Sequence, residues 1–481
     1  MRPEETRPQP SGAAPGVAPT LTVYALHALG GSGAEFRAVA DALGTDIRLV
    51  PIDLPGFGDA RDEPGRTVSE MADAAIARIH RDGAPRWLLL GHSMGGKVAS
   101  VIARRALDGH DPVFGLAGIV LLAASPPTPE PMSEDKRDEM TGWADDGALS
   151  EAQARAFIEA NAAVPLCREC DARAIDDLRR AAPSAWVHWL EHGSREDVSP
   201  TVGTLDIPAL ILAGEDDDDL GADAQPHLHG SVYPRARFVR LRETGHLIPQ
   251  ERPGIVATAI AALRDEIDAH APVIPADWAR LIASPAVAPR VRRTLAHRAI
   301  ADDPAYRPRA LTAPQLDTLR RLADLVVPQP ARGAEAGDGG RIDLAARVDA
   351  QLADGEGDGW RPADLPPDAV AAGLALDALA GLDLDADLVD ALVDGRLAPA
   401  GSPLSPAQLQ AWAEDARVDL VRHWLAHPAS LARTGNDSFA TRGVPEPRGF
   451  TVLAPGRREQ WEPESLGALP APLLDDGTDD S

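Results

Sequence analysis

Thiol chemistry is nearly missing from this chain: Cys167 and Cys170 are its two cysteines in 481 residues. They form a single Cys-x-x-Cys pair. A zinc ribbon needs a second pair or two suitably placed histidines, and a thioredoxin-type motif needs its own strand–helix–strand context. Neither is evident, so the two are read as structural or incidental thiols. Also missing is any apolar run of about 18 residues, the length a membrane-crossing helix requires. Positive charge is in deficit, with a formal net charge of -27. An acidic field repels phosphate backbones and anionic lipid heads, which excludes nucleic acid and membrane surfaces as expected partners. The first twenty residues, MRPEETRPQPSGAAPGVAPT, are polar and Pro-rich and hold no apolar signal core. They read as a flexible tail, and a cytoplasmic location is expected.

What is present is globular material, 44% hydrophobic, enough for two or three domains. Short apolar runs recur at 21–26, 46–54, 87–91, 118–124, 208–214 and 236–241. Helix-length segments such as 66–82 and 95–108 lie between them. Strands alternating with helices predict βαβ units and a parallel sheet. The rhythm breaks over 126–203, where helix-like stretches at 133–144, 150–161 and 171–182 carry Trp143, Trp186 and Trp189 nearby. That segment predicts a helical insertion over the sheet. A helix over 253–269 closes the first unit. From residue 271 onward helices dominate, at 312–327, 341–353, 367–380, 385–395 and 405–426, with a loop at 332–341 and an irregular tail after 427. The domains are therefore expected at 21–270, with the insertion at 126–203, and at 271–481.

The chemistry concentrates in RWLLLGHSMGGKVAS (86–100), where an apolar strand runs into Gly91-His92-Ser93-Met94-Gly95 and then a helix. Gly-x-Ser-x-Gly in that context is a nucleophile elbow: the serine sits on a strained turn, and its hydroxyl is pushed clear of the sheet. The following helix points its positive end at the site. A serine hydroxyl needs a base, and His246 in GHLIPQERP (245–253) follows the last strand. The imidazole needs an acid to fix its tautomer and stabilise its charged form. The strand 208–214 ends in Glu215-Asp216-Asp217-Asp218-Asp219, and spacing from Gly214 favours Asp217 over Asp216 or Asp218. The chain order Ser93, Asp217, His246 is that of α/β hydrolases. Oxyanion donors are expected from the backbone N–H of Met94 and of Leu29, in the loop His27-Ala28-Leu29-Gly30-Gly31-Ser32. His27 lies too early in that order for the base and is expected to hold this loop.

Together HALGGSG (27–33), DLPGFGDA (53–60), GHSMGG (91–96), GEDD (214–217) and GHLIPQERP (245–253) resemble the α/β-hydrolase family over roughly 21–268. The resemblance implies an α/β-hydrolase fold with 126–203 as its cap, the cap tryptophans lining the substrate pocket. It departs at Ala28, where relatives usually have glycine. A second resemblance covers roughly 300–465. ALTAPQLDTLRRLADLVVPQ (310–329), RIDLAARVDAQL (341–352) and FTVLAPGRREQWEPE (450–464) are similar to the small subunit, subunit 3, of membrane-associated gluconate 2-dehydrogenases. That likeness implies a partner, a flavin-containing subunit of the glucose-methanol-choline type. It carries over no catalytic residue, and the export signal common in those relatives is not seen.

Three shorter patterns compete. His188-x-x-Glu191-His192 has zinc-peptidase spacing, but it falls in the insertion and no third-ligand helix follows. Asp354–Gly359 resembles the start of a calcium loop, yet its twelfth position is Leu365, not glutamate. Trp412, Trp424, Leu409 and Leu420 recur at helical spacing and predict a core or interface stripe. The expected function is hydrolysis of an ester, lactone or related acyl or C–C substrate through an acyl-enzyme. That chemistry needs no metal or cofactor. The alternative is an accessory subunit of a flavin dehydrogenase, with the first domain as scaffold.

Overall fold

The computed structural model describes residues 20–329, 340–356, 362 and 364–440. The tail up to residue 19, most of the loop 332–341, residues 357–359 of the calcium-like turn and the stretch 450–464 lie outside the described residues.

Six strands form one parallel sheet: β1 (Leu21–Leu26), β2 (Ile47–Ile52), β3 (Trp87–His92), β4 (Leu116–Leu122), β5 (Ala209–Gly214) and β6 (Ala236–Leu241). Their spatial order is β2-β1-β3-β4-β5-β6. The inner strands read as unbroken apolar runs because both faces are covered. In β3, Trp87 and Leu89 enter one hydrophobic cluster and Leu88 and Leu90 the other. Helices α1 (Val68–Asp82) and α2 (Met94–Asp108) cover the first face. A long helix at Pro253–His270 covers the second through Val256, Ile260, Leu263 and Ile267. The pairs Leu26↔Gly91, His92↔Leu122 and Gly214↔Leu241 bring the carboxyl ends of the strands to one edge, where the following loops converge. This matches the α/β class expected from sequence.

Above that edge lie four helices, α3 (Glu134–Gly142), α4 (Glu151–Asn161), α5 (Arg168–Arg180) and α6 (Pro183–His188). The first two begin at Ser133 and Ser150, whose hydroxyls accept the N–H of Lys136 and Gln153. At α4, Gln153 answers back to the Ser150 N–H and completes a capping box. Cys167 and Cys170 are not free thiols: they form a disulfide across the first turn of α5. A three-residue step on a helical turn sets their Cα atoms 5.0 Å apart, within disulfide reach.

The segment after residue 270 does not separate where its composition changes. Helices at Ala276–Ala283 and Pro289–Ala299 place Ala279, Ile282, Leu295 and Ala296 in the same cluster as α1 and α2. Buried Arg292 pins them by donating to the carbonyls of Ile282, Ser284, Val287 and Gly109. A distinct helical cluster begins at Leu311 and includes Leu409, Trp412 and Leu420, with Trp424 packed against it. The irregular tail expected after 427 instead starts with a helix at Pro428–Thr434. Among the described residues no helix is long and apolar enough to cross a membrane.

Candidate active site

Ser93 stands at the turn between β3 and α2 with φ 50° and ψ -118°. A non-glycine residue held there stores about 1–3 kcal/mol of strain. The flanking glycines are a packing requirement. A Cβ on Gly91 would lie 2.7 Å from the Gly95 carbonyl oxygen, and one on Gly95 would lie 2.3 Å from that of Leu26. Met94 opens α2, so its N–H is among those with no acceptor inside the helix.

His246 and Asp217 come from the loops after β6 and β5. His246 Nδ1 donates to Asp217 Oδ2 at 2.7 Å, and Asp217 Oδ1 accepts the N–H groups of Asp219 and Leu220. Burial works against the Asp217 carboxylate, but the charge and hydrogen bond of His246 and the two backbone donors bring its pKa down to about 2. Burial likewise opposes a charged His246. The Asp217 carboxylate outweighs that, with help from Glu130, and holds the imidazole above its usual range. The loop that carries His246 is latched to the insertion: the His246 N–H donates to the Asn161 carbonyl at the end of α4. Glu251 accepts the N–H groups of Gly245 and Ala163.

Leu29 lies in the loop after β1 and lines one cavity with Ser93 and His246. His27 Nε2 accepts the Leu54 N–H at 3.0 Å, which leaves Nδ1 to donate to the Ala28 carbonyl at 2.7 Å. His27 therefore holds this loop. Ala28 donates its N–H to Glu35 Oε1 at 3.4 Å. The same oxygen takes Nδ1 of buried His92, whose Nε2 donates to the His246 carbonyl at 2.8 Å.

The expectation that tryptophans line the pocket is corrected. Trp186 and Trp189 are buried in the hydrophobic cluster that the insertion shares with the sheet and with α1 and α2. Trp186 stacks on Trp143 at 6.3 Å and donates its indole N–H to the Met140 carbonyl. The insertion instead lines the cavity with Phe157, Ile158, Arg173, Ala174 and Leu178. Several polar residues near the site carry no sequence motif of their own. Lys97, wholly buried in α2, donates to the carbonyls of Gly193, Ser194 and Glu196. Burial lowers its pKa to about 8. Glu130, hydrogen-bonded to Ser125, has its carboxyl pushed up by burial. His188 and His192 do approach to 4.7 Å between ring centroids, but among the described residues no group of three His, Cys, Asp or Glu is placed to hold a metal ion.

Comparison with known proteins bears on residues 23–260, which match a sequence profile described as the Alpha/beta hydrolase family. A pimeloyl-[acyl-carrier protein] methyl ester esterase of Sodalis glossinidius is 36% identical over 102 residues, 21% of this chain and 35% of that protein. The chain thus spans about a third of that relative. The Neisseria meningitidis serogroup C protein of the same name is 28% identical over 235 residues, 47% of this chain and 86% of that protein. A thermophilic esterase from Thermogutta terrifontis aligns in structure over 52% of this chain and 91% of its own, at 24% identity and a TM-score of 0.43.

Proposed function

Residues 23–260 are a domain of the alpha/beta hydrolase family of enzymes, and we propose from this that the chain is a serine hydrolase working through Ser93, His246 and Asp217. Ser93 attacks the carbonyl of an ester, lactone or related acyl or C–C substrate as His246 Nε2 takes its proton. Asp217 orients the imidazole and stabilises it once charged. The N–H groups of Met94 and Leu29 receive the oxyanion. The tetrahedral adduct collapses to an acyl-enzyme, the proton passes to the leaving group, and water activated by His246 releases the acid. The observation that carries this reading is the 2.7 Å contact from His246 to Asp217, beside a cavity that Ser93 and His246 share. Esterases among the relatives support an ester as substrate. A screen of esters and lactones of graded chain length tests it. The wild type should turn over at least one, and Ser93→Ala should lose on the order of 10³-fold or more in kcat. Equal turnover by both rejects it.

The helical cluster from Leu311 onward is proposed as a docking unit for a flavin-dependent dehydrogenase, on the strength of its likeness to the gluconate 2-dehydrogenase small subunit. Affinity capture with the full-length chain should then co-purify a subunit with flavin absorbance. A capture without flavin rejects docking and leaves a self-contained hydrolase.

A further inference from the structure

The cavity shared by Ser93 and His246 is lined largely by apolar groups, among them Leu29, Phe157, Ile158, Leu178 and Leu247. Its charged lining residues are Glu35, Asp177 and Arg173. Two of these are matched inside the protein. Glu35 is taken by His92 at 2.8 Å, and Asp177 by Arg180 at 2.6 Å and the Ser32 hydroxyl at 2.7 Å. Arg173 differs. Its Nε donates to the Glu169 carbonyl one turn earlier, and its Nη2 lies 3.6 Å from the exposed Glu169 carboxylate. These contacts fix the guanidinium on α5. Its Nη1 is buried and has no hydrogen-bond partner among the described residues. Gln250 also lines the cavity, and its Oε1 is buried with no hydrogen-bond partner among the described residues.

Buried donors and acceptors are nearly always satisfied, and an unpaired one costs free energy that a ligand recovers. A guanidinium is a cation with only donors to offer, and its planar fork is matched best by a carboxylate. The Gln250 amide can present its NH₂ to the same ligand by turning over, since its oxygen and nitrogen are interchangeable in shape. We propose that Arg173, assisted by Gln250, is a subsite for a carboxylate on the acyl part of the substrate. The enzyme's substrates are then half-esters or lactones that carry a free carboxylate separated from the scissile carbonyl by an apolar spacer. This rests on Ser93 and His246 being the reacting end of the cavity.

The test compares mono-para-nitrophenyl glutarate and adipate with their neutral methyl diesters, in the wild type and in Arg173→Met, which keeps the apolar stem. The wild type should favour the half-ester in kcat/KM by about 10- to 100-fold, the size of one hydrogen bond to a charged group. In Arg173→Met that ratio should fall to near one. A wild type without the preference, or a variant that keeps it, overturns the subsite. Binding of glutarate followed by ligand-observed NMR gives a readout independent of turnover. Binding by the wild type that weakens by the same factor in Arg173→Met supports the subsite, and equal binding by both, or none by either, overturns it. Failure to hydrolyse all four esters counts against the Ser93 reading, while the NMR result still decides the subsite.

Discussion

Glu35 Oε1 stands 2.8 Å from Nδ1 of His92, and neither side chain has more than 3% of its surface exposed. Through them three loops are joined: the one after β1 by the Ala28 N–H, the turn before Ser93 by His92 itself, and the loop after β6 by the His246 carbonyl. Glu35→Ala leaves two buried donors unpaired, at a cost of about 1–3 kcal/mol each. Urea unfolding should show that loss. If the pair also positions the site, kcat falls at unchanged KM. A purely structural pair would lower stability alone.

Asp217→Asn removes the charge beside His246. With the imidazole no longer held in its working tautomer, kcat should fall by about 10⁴-fold. Turnover measured at saturating substrate checks this.

The pH dependence has a defined sign. His246 must be neutral to act as base, and its pKa is raised, against burial, by Asp217 and Glu130. The acid limb of kcat/KM should therefore have its midpoint above the ordinary imidazole value of about 6.5. Glu130→Gln removes a negative neighbour and should move that limb to lower pH. An unmoved limb removes Glu130 from the account.

Lys97 ties α2 to the insertion at Gly193, Ser194 and Glu196. Its folded pKa, lowered by burial to about 8, lies below the ordinary lysine value. Between about 8 and 10.4 the unfolded chain binds more protons than the folded one, so this group makes stability rise with pH there. Denaturation of the wild type against Lys97→Met across that range should show the rise only in the wild type. Limited proteolysis should cut the insertion of the variant faster.

The inner strands were legible because each is an apolar run ended by turn residues, and the turn at Ser93 because Gly91 and Gly95 leave no room for a Cβ. Spacing from Gly214 favoured Asp217 over Asp216 and Asp218, but spacing does not show which carboxylate reaches His246. Chain geometry brings Asp217 to His246 and gives its second oxygen two backbone donors. The cap tryptophans were misplaced for a physical reason: composition marks them as apolar, but packing decides that Trp186 and Trp189 seat the insertion on the cluster of α1 and α2 and do not line the pocket. Glu35, Lys97 and Arg173 are illegible from periodicity, since a polar side chain is functional or solvated according to partners far along the chain. Glu35 meets His92 across 57 positions and Lys97 meets Gly193 across 96. The boundary near 270 was set by composition, whereas Ala279, Ile282 and Leu295 pack against the helices of the sheet.

The central claim is that Ser93 is an activated nucleophile. A fluorophosphonate probe reacts covalently with such a serine and is read by intact-protein mass. The full-length wild type should gain one adduct, mapped to Ser93 by peptide sequencing, and Ser93→Ala should gain none. Equal labelling of both proteins, or none of the folded wild type, would contradict it.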